Sequence, residues 1–319
     1  MVRENVKALA KYIFEKVPAR YVRREKDAFI ERTKQSFREI GYTDEEMMIQ
    51  QSRLGGRNLV VGPPDADILF TAHYDTPARN GWVMLLPLAK IVGMGIATLL
   101  SVPILVTLVN PRFALGLFGI DLIDHNIPEE AFILFFIAVC LLLFAIKNPH
   151  NHNDNSSGCI GVYNVATIVA ENPDLRGKCA FVFFDMEEAG LFGSGAFAKW
   201  RRKHYPGKEN SRVINLDCIA DGDILVCASA AKSAAVTERA QMAEFLRTEG
   251  FETVQKTSNL LGYLSDHAKF PRGVGLMFLR RSRLGGLYIP NIHTGKDQVC
   301  DLDQIERLSE SIVKYVSEA

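Results

Sequence analysis

The sequence predicts a layered α/β domain. Short apolar runs of strand length alternate with longer segments of helical period along most of the chain. Gly- and Pro-containing turn signals separate them. With 319 residues, 48 % of them hydrophobic, there is enough apolar side chain for a sizeable core.

Residues 1–50 read as helical, because Val6, Leu9, Ala10, Ile13 and Phe14 recur at helical spacing with charges between them. Asn58–Val61 and Asp67–His73 read as strands parted by the turn GPPDAD. Gly158–Glu171 reads as a helix and Cys179–Phe184 as a buried strand. A helix is expected over Leu191–His204, and strands over Val213–Leu216 and Ile224–Cys227. Ser233–Arg247 is a further helix, Val274–Leu279 a strand, and Leu302–Val316 a closing helix.

Two stretches break this pattern. Residues 91–109 are nineteen positions without a charge, and residues 131–146 are sixteen more. The first approaches the roughly 20 residues that a membrane-spanning helix needs. The expectation is a hydrophobic hairpin over 83–146 that contacts the lipid bilayer.

Lys and Arg total 37, as do Asp and Glu, so net charge gives no electrostatic case for a nucleic-acid partner. The six cysteines form no C-x-x-C pair, and buried free thiols are expected. The charged N-terminus does not read as a signal peptide.

Five short motifs fall at expected strand ends or in the following loops: TAHYDTP (71–77), NHNDNSSG (151–158), FFDMEEAGLFGS (183–194), INLD (214–217) and IHTGKD (292–297). Open α/β sheets place ligands there. Imidazole and carboxylate without thiolate suit a catalytic zinc site. His73 and Asp75 are two apart, so on a strand both face the same way, and Asp75 can hold the second ring nitrogen of His73. Asp154 can bridge two metals through its two oxygens. Of Glu187 and Glu188, one can bind metal while the other takes a proton from water. No G-x-S-x-G is present, which argues against a serine hydrolase, and GLFGSG (190–195) lacks phosphate-loop spacing.

These motifs, in this order, resemble metallopeptidase family 28, the co-catalytic zinc aminopeptidases. SDHAKF (265–270) adds a further similar stretch, and the resemblance covers 58–77 and 151–318. It implies a three-layer α/β sandwich with a mixed central sheet of the zinc exopeptidase type, here interrupted by a transmembrane helical hairpin. Residues 1–82 would hold an N-terminal helix and the first part of the peptidase domain, 83–146 the hairpin, and 147–319 the main part. It also implies two Zn2+ ions, one held by His73, Asp154 and Asp217, the other by Asp154, Glu188 and His293. Glu187 would be the general base, Asp75 the partner of His73, and Ser265, Asp266 and His267 part of the site wall. The implied reaction removes the N-terminal residue from a peptide with a free amino group. A glutaminyl-cyclase-like single-zinc enzyme and a non-catalytic receptor or scaffold are the alternatives.

His150 and His152 precede Asp154 but exceed the ligand count, and His125 and His204 read as surface residues. Arg280, Arg281 and Arg283 read as a basic turn that could instead grip a substrate carboxylate. His73 and Asp75 precede the hairpin while the other ligands follow it, so it must cross a membrane an even number of times or not at all. Arg79, Lys90 and Lys147 flank it and only Arg112 lies in its loop, beside Asp121, Asp124, Glu129 and Glu130. The expected location is therefore a multi-pass protein of the cell membrane with its catalytic domain in the cytoplasm.

Overall fold

The computed structural model describes residues 2–78, 88–100, 134, 146–259 and 262–318. Two helices open the chain, α1 (Glu4–Lys16) and α2 (Arg23–Glu39). The strands β1 (Met47–Gln51), β2 (Arg57–Val61) and β3 (Ile68–His73) follow. After the insert come α3 (Gly158–Ala170), α4 (Pro173–Arg176), β4 (Cys179–Phe184), α5 (Phe192–His204) and β5 (Arg212–Leu216). The chain continues through β6 (Ile224–Ser229), α6 (Ser233–Thr248), β7 (Thr253–Thr257), β8 (Gly273–Arg281), β9 (Leu287–Tyr288) and α7 (Leu302–Glu318).

The strands form one mixed sheet in the order β1-β2-β4-β3-β5-β8-β6-β7, with β9 paired to β8. At its centre β4, β3, β5 and β8 run parallel, while β2 joins β4 and β6 joins β8 antiparallel. Side chains alternate between the faces, as the strand period requires. Phe181 and Phe183 of β4 meet α1, α2, α3 and α7 in the larger core, while Val182 and Phe184 pack with Phe197 of α5 and with Phe270. Burying a Phe of this kind stabilises by about 1.5–3 kcal/mol. Helix α3 is buried nearly all round, between the sheet and α1 and α7, which explains its almost uniformly apolar sequence.

Expected strands and helices after residue 147 fall within a few residues of the observed ones. Three strands were not anticipated. Residues 47–50 were expected to be helical, but β1 pairs with β2 as a hairpin. Tertiary pairing overrides a local pattern there. β7 is a polar edge strand, TVQKT, with little apolar signal, and β9 has only two residues.

The expected transmembrane hairpin is corrected. Among the described residues no helix is long and apolar enough to cross a membrane. This overturns the expected multi-pass membrane location with a cytoplasm-facing domain. Most of 83–146 lies outside the described residues, including Arg112, Asp121, Asp124, His125, Glu129, Glu130 and Cys140, and so does Arg79. The described part, 88–100, is helical on both sides of Gly93 and docks on the turn between β8 and β9. The Arg283 and Leu284 amides donate to the Lys90 and Ile91 carbonyls at 2.9 and 2.8 Å. Gly93 has φ +86°, and a Cβ there would lie 2.7 Å from the Gly286 Cα, so two glycines allow the backbones to touch.

Candidate metal centre

Three neighbouring parallel strands deliver the site from their C-terminal ends, the edge where open α/β sheets bind ligands. His73 ends β3, Asp217 follows β5, and Glu187 and Glu188 lie in the loop after β4. Asp154 comes from the segment leading into α3, and His293 from the loop after β9.

Asp154 stands between the two histidines. His73 Nε2 lies 3.4 Å from Asp154 Oδ1, and His293 Nε2 lies 3.0 Å from Asp154 Oδ2. Asp217 Oδ1 is 3.8 Å from His73 Nε2, on one side, and Glu188 Oε2 is 3.3 Å from His293 Nε2, on the other. Donor atoms of His73, Asp154 and Glu188 lie within 4.8 Å of one another, as do those of His73, Glu187 and Asp217. A third such group adds Cys218 to Asp154 and Asp217.

Asp75 serves both the histidine and the loop. β3 stops at His73, so the pair is not carried by one strand as expected. His73 Nδ1 still lies 3.1 Å from the Asp75 carbonyl and 3.5 Å from its carboxylate. The same carboxylate accepts the Glu187 and Glu188 amides at 3.1 and 3.2 Å. Asp75 thus orients the imidazole through its backbone carbonyl, with its carboxylate close by, and fixes the two glutamate amides through that carboxylate.

The Asn-Asp-Asn-Ser-Ser-Gly segment ties Asp154 to the loop after β5. Asn153 Oδ1 accepts from the Ala220 amide, Ser157 Oγ from Ile219, and Asn155 Oδ1 from Cys218. Asn155 Nδ2 donates to the Leu216 carbonyl. A Cβ on Gly158 would lie 2.3 Å from that carbonyl oxygen. Asp297 completes the cradle by accepting the Asn153 and Asp154 amides at 2.9 and 3.0 Å. Burial pushes its carboxyl up to about 8. These roles of Asn153, Asn155, Ser157 and Asp297 were not read from the sequence, although all four lie in the quoted motifs. So does Asp185, which accepts from Lys26 Nζ at 2.5 Å and from the Arg57 amide. Arg20, fully buried, donates to the Tyr74 and Val17 carbonyls beneath the site. No pattern marked it.

Met186, Cys218 and His293 hold left-handed φ values of 58°, 55° and 56°. Each costs roughly 1–3 kcal/mol, and such strain clusters where a site demands a particular direction.

The electrostatics follow from burial and crowding. Burial pushes Glu187 well above the ordinary carboxylate range; His73 opposes this, while Glu188, Asp266 and Asp217 add to it. Burial alone would lower both site histidines. The carboxylates reverse that, with Glu187 acting most strongly on His73 and Glu188 on His293, and both rise well above their ordinary value. Asp154 falls far below the usual range, since hydrogen bonds from His293 and His73 outweigh its burial.

All the expected ligands, with Glu187 and Asp75, therefore meet at one place. Ser265, Asp266 and His267 sit behind it: Thr71 Oγ1 donates to Asn215 Oδ1, and Asn215 Nδ2 donates to Ser265 Oγ. His152 instead stacks on Phe14 at 4.2 Å and faces the Gln298 carbonyl. Arg280 pairs with Asp221 at 2.6 Å and Arg281 with Glu252 at 2.5 Å, and neither lines the cavity over the ligands. Cys159, Cys179, Cys218 and Cys227 are buried free thiols, and Cys300 is half-buried. The cavity has a volume of about 260 Å³.

Comparison with known proteins bears on the fold and the family. No curated protein matches the chain. Among solved structures, LapA aminopeptidase of Legionella pneumophila superposes with a TM-score of 0.62 at 13 % identity, over 99 % of this chain and 71 % of LapA. A leucine aminopeptidase precursor from Bacteroides thetaiotaomicron gives 0.58 at 14 %, over 99 % of this chain and 95 % of the other. The Bacteroides thetaiotaomicron glutaminyl cyclase gives 0.58 at 14 %, over 99 % and 96 %. At such identities the likeness shows a shared mixed-sheet α/β fold. The profile described as peptidase family M28 matches residues 149–316, more than half of the 319 residues. The chain belongs to peptidase family M28.

Proposed function

We propose that this protein is a zinc-dependent aminopeptidase with two metal positions sharing Asp154. One observation carries the reading: the two oxygens of Asp154 face different histidines, each accompanied by a further carboxylate. The donor chemistry fits the ion. Four carboxylates converge on two imidazoles, and buried Glu188 Oε1 has no hydrogen-bond partner. Such an atom is costly to bury unless a cation or donor completes it.

His73, Asp154 and Asp217 would hold one zinc, and Asp154, Glu188 and His293 the other. Bound zinc supplies Lewis acidity and lowers the pKa of water to about 7. Glu187, grouped with His73 and Asp217, would take a proton from the attacking water. Water oxygen then bonds to the scissile carbonyl carbon, the C–N bond breaks, and Glu187 returns the proton to the leaving amine. Asp75 holds the Glu187 amide and the His73 ring in place throughout.

The test compares a peptide with a free N-terminus and its N-acetylated form, using zinc-loaded protein. Hydrolysis of the free peptide only, abolished by EDTA, is expected; equal cleavage of both would indicate an endopeptidase or deacylase. Asp154→Ala should lose both metals by elemental analysis, whereas His73→Ala should mainly lose one. Cyclisation of an N-terminal glutaminyl peptide without hydrolysis would select the single-zinc alternative.

A further inference from the structure

The cavity over the ligands has a wall that belongs to the insert. Met94, Gly95 and Thr98 line it, facing Tyr263, Met277, Leu279, Ile289 and Ile292. Apart from the ligand set and Glu187, no described residue lining it carries a charge. Met277 and Leu279 belong to a small apolar core with Ile224 and Val226, and Tyr263 and Ile289 pack against it, so the floor is firm. The insert wall is fixed as well. Gly93 touches Gly286, and the Arg283 and Leu284 amides bond to the Lys90 and Ile91 carbonyls. Thr98 Oγ1 donates to the Met94 carbonyl within its own helix at 3.0 Å, so the hydroxyl has a partner without any ligand. A volume of about 260 Å³ suits one residue better than a long peptide segment, since sites for drug-sized ligands run roughly 300–1,000 Å³.

We infer that segment 88–100 is the specificity-determining wall of this pocket, with Met94 selecting substrates whose N-terminal side chain is large and uncharged. The inference rests on the aminopeptidase reading for its reaction. A charged side chain would be stripped of water against Met94 and Met277 with no counter-charge, whereas an apolar one would gain contact area.

The test replaces Met94, which is half-buried, with charges of opposite sign in the full zinc-loaded chain. Aminoacyl-coumarins of Leu, Lys and Glu are assayed for kcat/KM, and binding of leucinamide, lysinamide and glutamic acid α-amide is measured by calorimetry. Wild type should prefer Leu by about tenfold or more, the scale at which a pocket discriminates side chains. Met94→Glu should raise Lys relative to Glu by about tenfold, and Met94→Lys should do the reverse. Opposite shifts cannot come from a general loss of folding. The same ranking in both variants, in turnover and in binding, would overturn the inference while leaving the aminopeptidase reading intact. Should wild type turn over no free-amine substrate, that reading fails, and the calorimetric ranking alone decides the pocket.

Discussion

At the scale of single residues, Glu187 and Glu188 are adjacent yet differently engaged. Glu188 Oε2 lies beside His293, while Glu187 groups with His73 and Asp217. Glu187→Gln should therefore keep both metals and lose about 10²–10⁴-fold in kcat, because an amide cannot accept the proton. Near-normal turnover with full metal occupancy would remove it from the role. His267 offers a pH test behind the site. Burial lowers it to about 4, against a weaker opposing pull from Asp217, and its Nε2 lies 2.6 Å from Ser258 Oγ. The unfolded chain protonates this ring near 6.5, so between those values it is the unfolded state that binds the extra proton. His267 should thus contribute acid lability, losing on the order of 3 kcal/mol as pH falls from about 6.5 to 4. Denaturant titrations across that range should show a shallower slope in His267→Gln than in wild type. Identical slopes would mean that the imidazole titrates normally in the fold.

Among the elements, the close seat of α3 against β5 matters most. Asp154 is positioned because the residues leading into α3 bond to the loop after β5, and Gly158 lets the helix approach the Leu216 carbonyl. Gly158→Ala places a carbon 2.3 Å from that oxygen, where overpacking costs about 1–3 kcal/mol. The expected outcome is a lower Tm together with weaker metal binding, since the same shift displaces Asp154. A lower Tm with unchanged metal affinity would separate the helix seat from the site. β3, β4 and β5 act together here, for adjacent parallel strands end at one edge and bring His73, the glutamate pair and Asp217 within reach of one another.

For the whole molecule, the site joins parts of the chain separated by the insert. His73 precedes it, and every other proposed ligand follows it. A metal bound across this division ties the two parts together in the folded state only. Zinc at about a thousandfold over Kd should then stabilise the fold by about 4 kcal/mol. Calorimetry of EDTA-treated protein with and without added zinc reads this as a rise in Tm. No rise would count against a preformed centre. The family profile begins at residue 149, yet β2 and β3 lie in the same sheet as β4 and β5. The first part of the domain is thus recognised by its strand pairing rather than by the profile.

The sequence by itself determined the layered α/β class, most strands and helices after residue 147, and the residue types of the site. Each depends on local period or on short motifs whose chemistry is written in the side chains. His73, Asp75, Asp154, Glu187, Glu188, Asp217 and His293 were all legible for that reason. The cradle was not. Asp297, Asn153 and Asn155 act through backbone amides up to 144 residues away in sequence, and no spacing rule reports such pairs. For residues 88–100 hydropathy alone could not choose, because an apolar run reads the same whether it faces lipid or protein. Tertiary structure decided the matter for residues 88–100. Two backbones meet at Gly93 and Gly286, and the helix they anchor carries Met94 into the wall above the ligands.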